Sequence, residues 1–342
     1  MKLLITTQAV DVNHPILGFF IGWILEFSKH FDEVHVICLQ KGEYELPGHV
    51  HVYSLGKETG ENKLKYLYRF YTFFGHIFFK VRVDYVFFHM GAIYNILAAP
   101  FFFLRRSYGT KFYWWKAHGH INMLGRIALL FSDLVFTSTE SGFAINTKKR
   151  RIVGQAIDNS FFKSPQLEDR TREIIFVGRI MPVKHIEDLI ATAQLLNAHD
   201  PGLAFKIIGP VGDAGYYDSL QSRIAASGLA DSVTFLGPKT QSELRGIYAK
   251  ALVFLNTSLT HSMDKTVLEA ILCGCVPVTG NRAFRELLEK DGLYVEHADP
   301  ATYATAIKRL LAEDLTEQRK RLRTEVVKLH SLTTFTQRIF GI

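Results

Sequence analysis

The second half of the chain alternates strand-like and helix-like segments at short, regular intervals. The predicted strands are Glu173–Val177, Ala204–Ile208, Val233–Leu236, Leu252–Leu255, Val276–Thr279 and Leu293–Val295. The predicted helices between them, with apolar residues at helical spacing, are His185–Leu196, Tyr216–Ala226, Gln241–Ala249 and Phe284–Leu288. Because helices that join successive strands favour a mainly parallel sheet, the pattern predicts a doubly wound α/β domain.

The first half of the chain follows the same order. Its predicted strands are Leu3–Thr7, Val34–Leu39, Val50–Leu55, Tyr85–His89, Lys111–Lys116 and Asp133–Ser138. A helical run at Gly18–Phe27 follows the first strand, and a further helix is predicted to begin at Thr139. The first strand and helix are not joined by a GxGxxG turn, so a nicotinamide cofactor is not indicated. Ligands are expected at the carboxyl ends of these strands, where Ala117-His118 follows one of them.

A polar stretch between Ile157 and Arg172 separates the two halves and is the best candidate for a domain boundary. The chain of 342 residues exceeds the usual size of one domain. We therefore predict a first domain over residues 1–165 and a second over residues 166–325. Residues 326–342 are predicted to form a helix that packs back on the first domain.

Composition limits the partners and the compartment. The net charge of +7 favours anionic partners, and the absence of helix-turn-helix, zinc-finger and RNP patterns argues against nucleic acid. The three cysteines, Cys38, Cys273 and Cys275, are too few and too scattered for a disulfide framework or a zinc site. These features predict a protein of a reducing compartment, the cytoplasm.

Aromatic and basic residues are interleaved over residues 63–82 and 96–106. Neither apolar stretch reaches the roughly 18–20 uninterrupted residues that a membrane-spanning helix needs. Two explanations fit. In the first, the segments are helices that lie in an anionic membrane interface and attach the protein peripherally to the inner face of the cell membrane. Alternatively, they are core helices whose basic residues reach out to solvent.

The segment Thr260–Pro277 combines a polar loop, a short helix and a strand. The helix is predicted to start near Thr266 and to end at Gly274. The unpaired N–H groups and the dipole at its start favour a phosphate group. Glu269 lies inside this helix among apolar residues, which suits a carboxylate that faces a sugar or ribose hydroxyl pair. A solvated helix glutamate is the alternative.

Arg179 and Lys184 follow the carboxyl end of the second domain's first strand. Two cations at this position can hold a diphosphate, the arginine by paired hydrogen bonds and the lysine as a point charge. Solvated surface cations would be the explanation if either residue stood alone.

Several motifs occur in a defined order over residues 173–290: Phe176-Val177-Gly178-Arg179 with Lys184, Ile207-Ile208-Gly209, Phe235-Leu236-Gly237, and Val267-Leu268-Glu269-Ala270 with Gly274 and Pro277. In these motifs the chain resembles the retaining glycosyltransferases of family 4. The resemblance implies the GT-B fold, in which two Rossmann-like doubly wound domains face each other across a cleft. It also implies a nucleotide-sugar donor held mainly by the second domain, and a glycan or lipid-linked acceptor held mainly by the first.

The resemblance also implies roles for single residues. Arg179 and Lys184 match the pair that neutralises the leaving diphosphate, Glu269 matches the glutamate that contacts the ribose, and His118 would approach the sugar. The residues implied in substrate binding are Gly18, Gly178, Gly209, Gly237, His261, Ser262, Met263, Asp264, Lys265 and Thr266. No metal and no other cofactor is implied, since two cations and a helix terminus can replace a divalent ion.

One position departs from the family pattern. His261 stands where the family has the earlier of two glutamates with seven residues between them, and the loop after it lacks the usual glycine and phenylalanine. Histidine can hydrogen-bond a sugar hydroxyl, and Asp264 can supply a carboxylate. We expect transfer with retained configuration, driven by stabilisation of the leaving phosphate. The alternatives are a nucleotide-sugar epimerase of the same architecture and a protein that binds a nucleotide sugar without turning it over.

Overall fold

A computed structural model describes residues 1–163, 170–260 and 262–342. The chain divides into two compact units: unit 1 comprises Met1–Ala156 with Leu332–Ile342, and unit 2 comprises Ile157–Ser331. The divisions at 156/157 and 331/332 differ from the expected ones at 165/166 and 325/326. The reason is packing, because Phe162 and Val326 are both buried in the core of unit 2.

Unit 1 contains a parallel sheet of seven strands in the order β3-β2-β1-β4-β5-β6-β7. The strands are β1 (Lys2–Val10), β2 (Glu33–Lys41), β3 (Val50–Ser54), β4 (Tyr85–His89), β5 (Lys111–Trp115), β6 (Leu134–Thr137) and β7 (Arg150–Ile152). Strand order reverses between β1 and β4, which are paired directly. Such a reversal leaves a crevice at the carboxyl ends of the two strands, where doubly wound sheets bind ligands.

Five α-helices of the first 156 residues cover the two faces of this sheet. They are α1 (Phe20–Ser28), α2 (Lys63–His76), α3 (Ala92–Leu97), α4 (Ala99–Tyr108) and α5 (Met123–Leu130), and a π-helical turn, Ile77–Val81, continues α2. The helix predicted to begin at Thr139 is wrong. The Thr139 hydroxyl accepts a hydrogen bond from the Gly142 amide, and such a local bond holds the backbone in a turn instead.

Unit 2 contains a parallel sheet of five strands in the order β10-β9-β8-β11-β12. The strands are β8 (Thr171–Val177), β9 (Ala204–Ile208), β10 (Val233–Gly237), β11 (Ala251–Asn256) and β12 (Val276–Thr279). The helices are α6 (Ile186–Asn197), α7 (Ala214–Ala226), α8 (Gln241–Lys250), α9 (Lys265–Leu272), α10 (Arg285–Leu288), α11 (Pro300–Ala312) and α12 (Thr316–His330). Here the strand order reverses between β8 and β11.

The strand predicted at Leu293–Val295 is wrong. Only Tyr294 forms a bridge, to Thr279 at the end of β12. The chain then turns away from the sheet, and the Asp299 carboxylate caps the start of α11 through the amides of Ala301 and Thr302. Pairing is limited to a single residue because the next helix begins so soon.

The last helix, α13 (Leu332–Phe340), belongs to unit 1. The ring of Phe335 packs on Trp23 of α1 at 4.5 Å, and the ring of Phe340 packs on Phe27 at 5.3 Å. The Arg338 guanidinium also donates to the carbonyl oxygen of Val153. These contacts place α13 on the same face of the unit 1 sheet as α1.

The α/β class predicted from the sequence, with two doubly wound Rossmann-like domains, is confirmed. None of the helices that the structure describes combines the length and the apolar character required to cross a membrane.

Candidate functional site

The carboxyl ends of β8 and β11 meet where the strand order of unit 2 reverses. Gly178 follows β8, and a short 3-10 turn, Pro182–Lys184, leads from there into α6. The polar residues Thr257 and Ser258 follow β11, and α9 begins shortly afterwards. Parallel strands bring these segments to one edge of the sheet, which is the ligand-binding edge in this class of fold.

Lys184 is fixed at this edge by polar groups that follow β11. Its ammonium lies 2.9 Å from the Asp264 carboxylate and 3.4 Å from the Ser258 hydroxyl. The amide group of Asn256 donates to the other oxygen of Asp264 at 3.4 Å, and the Thr257 hydroxyl donates to the carbonyl oxygen of Lys184 at 2.7 Å. The side chain of Lys184 is only 15% exposed, so its charge is held in one place.

Arg179 differs from Lys184 in being exposed. Within residues 1–163, 170–260 and 262–342, its guanidinium forms no ion pair or hydrogen bond. Its neighbour Gly178 lies beside Lys184, because a Cβ on Gly178 would be 3.7 Å from the Lys184 Cε. The structure therefore places one restrained cation and one free cation at the same edge of the sheet.

Three glycines that were predicted to bind substrate lie together at this edge. The Gly178 amide donates to Ile208 at 2.9 Å, and the Gly209 amide donates to the carbonyl oxygen of Gly237 at 3.0 Å. Gly209 has φ of +145°, and a Cβ there would overlap the carbonyl oxygen of Gly178. Only a glycine allows these two backbone segments to approach each other so closely. Neither segment has a side chain at this point.

The start of α9 contributes further polar groups. Asp264 occupies the N-cap position, but its side chain pairs with Lys184 and does not cap the helix. The Thr266 hydroxyl donates to the carbonyl oxygen of Val177 at the end of β8. The Ser262 carbonyl oxygen accepts from Asn281, and the Met263 side chain is buried in the core of unit 2. His261 lies outside the described residues.

Glu269 is buried inside unit 2, and its carboxylate has a donor in the structure. The hydroxyl of Tyr248 on α8 donates to Glu269 at 3.3 Å. Burial raises the pKa of Glu269, and the charge of Lys265 one helical turn earlier opposes that rise. Burial lowers the pKa of Lys265, because in both residues it disfavours the charged form. Contact of Glu269 with a ribose stays a prediction.

The two predicted site residues of unit 1 follow the carboxyl ends of two different strands of its parallel sheet. Gly18 belongs to the loop after β1, where a Cβ would be 2.6 Å from the carbonyl oxygen of Val12. The loop itself therefore requires a glycine at this position. His118 follows β5, and its Nδ1 accepts a weak hydrogen bond from the His120 amide at 3.4 Å. Partial burial, together with the charges of Lys116 and His120, lowers the pKa of His118.

Sequence reasoning missed Asn256 and Ser258, which complete the surroundings of Lys184. The available signal was a run of polar residues, Asn256-Thr257-Ser258, directly after the buried strand β11. It also missed Tyr248, the partner of Glu269, for which the sequence offers no spacing rule. Among the residues that the structure describes, no three His, Cys, Asp or Glu side chains are grouped so that they could hold a metal ion.

Comparison with known proteins points to the same part of the chain. A family model described as glycosyl transferases group 1 matches residues 171–313, which is less than half of the chain. The D-inositol 3-phosphate glycosyltransferase of Salinispora arenicola is 33% identical over 156 residues, covering 43% of this chain and 35% of that protein. The enzyme of the same name from Corynebacterium jeikeium is 34% identical over 152 residues, covering 42% and 36%. The chain thus spans about a third of the length of the curated relatives it matches.

Similarity to solved structures extends over the entire chain. HepE of Anabaena, solved in complex with UDP, has a TM-score of 0.78 at 16% identity, covering 100% of this chain and 99% of that one. The fold is GT-B. A glycosyltransferase from Rickettsia africae has a TM-score of 0.74 at 13% identity, covering 99% and 97%. At such identities the likeness concerns the fold, and the family model confines the sequence signal to this GT-B protein's second unit.

Proposed function

We propose that the chain transfers a sugar from a nucleoside diphosphate to an acceptor hydroxyl. The observation that carries the proposal is the position of Lys184, held at the carboxyl ends of β8 and β11 beside the bare backbone of Gly178 and Gly209. A restrained cation, Lys184, and an exposed one, Arg179, at this edge suit a diphosphate. The match of this segment to glycosyl transferases group 1 supports a sugar as the second half of the donor.

The proposed reaction retains the anomeric configuration. The bond from the anomeric carbon to the diphosphate oxygen breaks, a bond to the acceptor oxygen forms on the same face, and the diphosphate takes the acceptor's proton. Arg179 and Lys184 stabilise the charge that develops on the leaving phosphate, which is the largest contribution a protein can make to such a step. An ammonium has three donors, so Lys184 keeps one for phosphate while it donates to Asp264 and Ser258.

The comparisons suggest which substrates to test first. HepE was solved with UDP, with UDP and glucose, and with UDP-glucose, which supports a UDP-sugar as the donor. The curated relatives are named D-inositol 3-phosphate glycosyltransferase, which supports phosphorylated polyols as trial acceptors. Lipid-linked or cell-envelope glycans remain the acceptors that we propose, and the cytoplasm remains the proposed compartment.

The test is a reaction of the purified full chain with UDP-sugars, with and without candidate acceptors, followed by NMR of the products. We expect a glycoside whose anomeric configuration matches that of the donor. A product of inverted configuration would exclude the retaining mechanism. Formation of an epimer without acceptor would indicate the epimerase, and tight donor binding with neither transfer nor hydrolysis would indicate a binding protein.

The same assay tests the proposed independence from metal. Two cations stabilise the leaving group in this proposal, so a chelator should leave the rate of transfer unchanged. Loss of activity on chelation, restored by a divalent ion, would contradict it.

A further inference from the structure

One face of the unit 1 sheet is covered by helical segments that contain no acidic residue. These are α2, the π-helical turn Ile77–Val81, α3, α4 and α5, and we call them the acid-free layer. The chain has 33 Asp and Glu among 342 residues, so several would be expected over this length. In unit 2, by contrast, each described α-helix except α11 contains at least one.

The inner side of the acid-free layer accounts for one part of its apolar residues. Phe70, Phe74, Phe101 and Phe102 are buried against the sheet in a single hydrophobic core. The rings of Phe74 and Phe101 pack at 4.6 Å and so join α2 to α4. Core packing therefore explains these side chains without any external partner.

The outer side of the layer is also apolar, and core packing does not explain it. Leu64 is 78% exposed, Tyr68 is 73% exposed and Phe103 is 73% exposed. On α2 the exposed residues Leu64, Leu67, Tyr68 and Tyr71 recur at the spacing of one helix face. The helix thus has two apolar faces, and the second one is in water. Further exposed apolar residues of the layer are Phe79, Ile93, Leu104, Tyr108, Met123, Leu124 and Leu130.

Exposed cations lie on the same helical segments as these apolar side chains. The exposed ones within the layer are Lys63, Lys65, Lys80, Arg106 and Arg126. The acidic residues that pair with the layer lie outside its helices: Glu61 binds Lys65 and Arg69, and Asp133 binds Arg105. The layer itself has no acidic residue to neutralise its other exposed cations. These are Lys63, Lys80, Arg106 and Arg126.

We propose that the acid-free layer docks on the surface of a bilayer that contains anionic lipid. The exposed aliphatic and aromatic side chains would enter the boundary between headgroups and acyl chains, and the lysines and arginines would bind lipid phosphates. Charge complementarity selects this partner, because a protein surface of mixed charge would leave the cations partly unmatched. The inference goes beyond the proposed reaction and does not depend on it.

The first test is flotation of the full chain with phosphatidylcholine vesicles and with vesicles that also contain phosphatidylglycerol. We expect the protein to float with the anionic vesicles at low ionic strength and to be released near 1 M salt, where the screening length falls to about 3 Å. A protein that remains in the soluble fraction at low salt overturns the proposal. Equal binding to neutral vesicles overturns its electrostatic part.

Variants locate the contact. Tyr68→Glu and Phe103→Glu place a carboxylate on the outer side of the layer, at side chains that are mostly in solvent, so each should lower vesicle binding at least tenfold while unit 1 stays folded. The matched control is Leu195→Glu, an exposed leucine on α6 of unit 2, which should bind vesicles as the unmodified chain does. Circular dichroism checks the fold of each variant.

A charge variant keeps the test independent of the apolar residues. Arg106 is an exposed cation with no role in the buried core, and Arg106→Ala removes one lipid-facing charge. We expect about a fivefold loss of binding to anionic vesicles, the usual effect of one basic residue near such a surface. Unchanged binding of Tyr68→Glu, Phe103→Glu and Arg106→Ala alike would overturn the proposal.

Discussion

The two units share a doubly wound architecture but differ in what their side chains do. Unit 1 contains 20 of the 27 phenylalanines and all three tryptophans, whereas the core of unit 2 is mainly aliphatic. At the strand reversal of unit 1, the Thr7 hydroxyl and His89 form a buried hydrogen bond of 3.0 Å, and Phe20 stacks on the His89 ring at 4.0 Å. At the corresponding place in unit 2, Lys184 pairs with a carboxylate.

This difference separates two tasks within one fold. Unit 2 restrains a charged group at the carboxyl edge of its sheet, which is what electrostatic catalysis on a phosphate requires. Unit 1 uses aromatic side chains both to fill its core and to cover the outer side of its helices. The sequence signal of glycosyl transferases group 1 falls on unit 2, and the exposed aromatic and basic surface falls on unit 1.

The largest effect expected is on unit 2. Replacing Lys184 or Arg179 with alanine removes one cation from the leaving phosphate and should lower turnover by ~10²–10³, with the fold preserved. The measurement is the initial rate of transfer, with thermal unfolding as the check on folding. Arg172→Ala is the matched control, because Arg172 is an exposed arginine near the opposite end of β8 that pairs with Asp200 on the surface.

The result would sharpen or break the division between the units. A rate near normal in Lys184→Ala would mean that unit 2 does not carry the charge stabilisation. Equal losses in Arg172→Ala would mean that the effect is general destabilisation and not loss of a specific contact.

The second effect concerns the bare backbone of unit 2. Gly209→Ala introduces a Cβ that overlaps the carbonyl oxygen of Gly178, at a φ of +145° that alanine rarely adopts. Strain and overlap together should lower the free energy of unfolding by at least about 2 kcal/mol. Denaturant unfolding measures the change, and donor binding should weaken as the edge of the sheet shifts.

Gly246→Ala is the control for that variant. Gly246 lies within α8, and a Cβ there meets no atom within 4 Å. Alanine is the better helix former by about 1 kcal/mol, so this change should stabilise the protein. If Gly209→Ala behaved as Gly246→Ala does, the close approach of the two glycines would not be a requirement of unit 2.

Much of the architecture could be predicted from the sequence because its strands are buried on both faces. Such strands read as continuous hydrophobic runs, and the predicted bounds of Tyr85–His89 and Ala204–Ile208 are those observed. The errors lie where local contacts override the pattern. The turn at Thr139 is held by a hydroxyl that binds a nearby amide, and the segment at Leu293 pairs through a single residue before the next helix begins.

The candidate site could be predicted only in part. Arg179, Lys184 and the glycines follow strands, so their place at the carboxyl edge follows from the order of elements. The partners of the charged groups could not be predicted. Asp264 binds Lys184 across 80 residues of sequence, and Tyr248 binds Glu269 across 21, and no local spacing encodes either pair.

The smallest effect expected is on the carboxyl edge of unit 1. Lys116, at the end of β5, forms no ion pair with any residue of the described ranges, in contrast to Lys184 in unit 2. Its charge lowers the pKa of His118, in addition to the effect of partial burial. Lys116→Met removes that repulsion and should raise the pKa of His118 towards its ordinary value of about 6.5. An NMR titration of the His118 ring protons measures the shift.

The change in the pKa of His118 also changes how the stability of the protein depends on pH. A histidine whose pKa is lowered in the folded state contributes stability above its unfolded pKa, and that contribution is lost as the pH falls through the interval between the two values. Lys116→Met should therefore reduce the loss of stability on acidification. Lys111→Met, at the other end of β5, is the control and should leave the titration of His118 unchanged. An unchanged or lower pKa of His118 in Lys116→Met would mean that the charge of Lys116 does not act on His118, and the contrast between the two units would be lost.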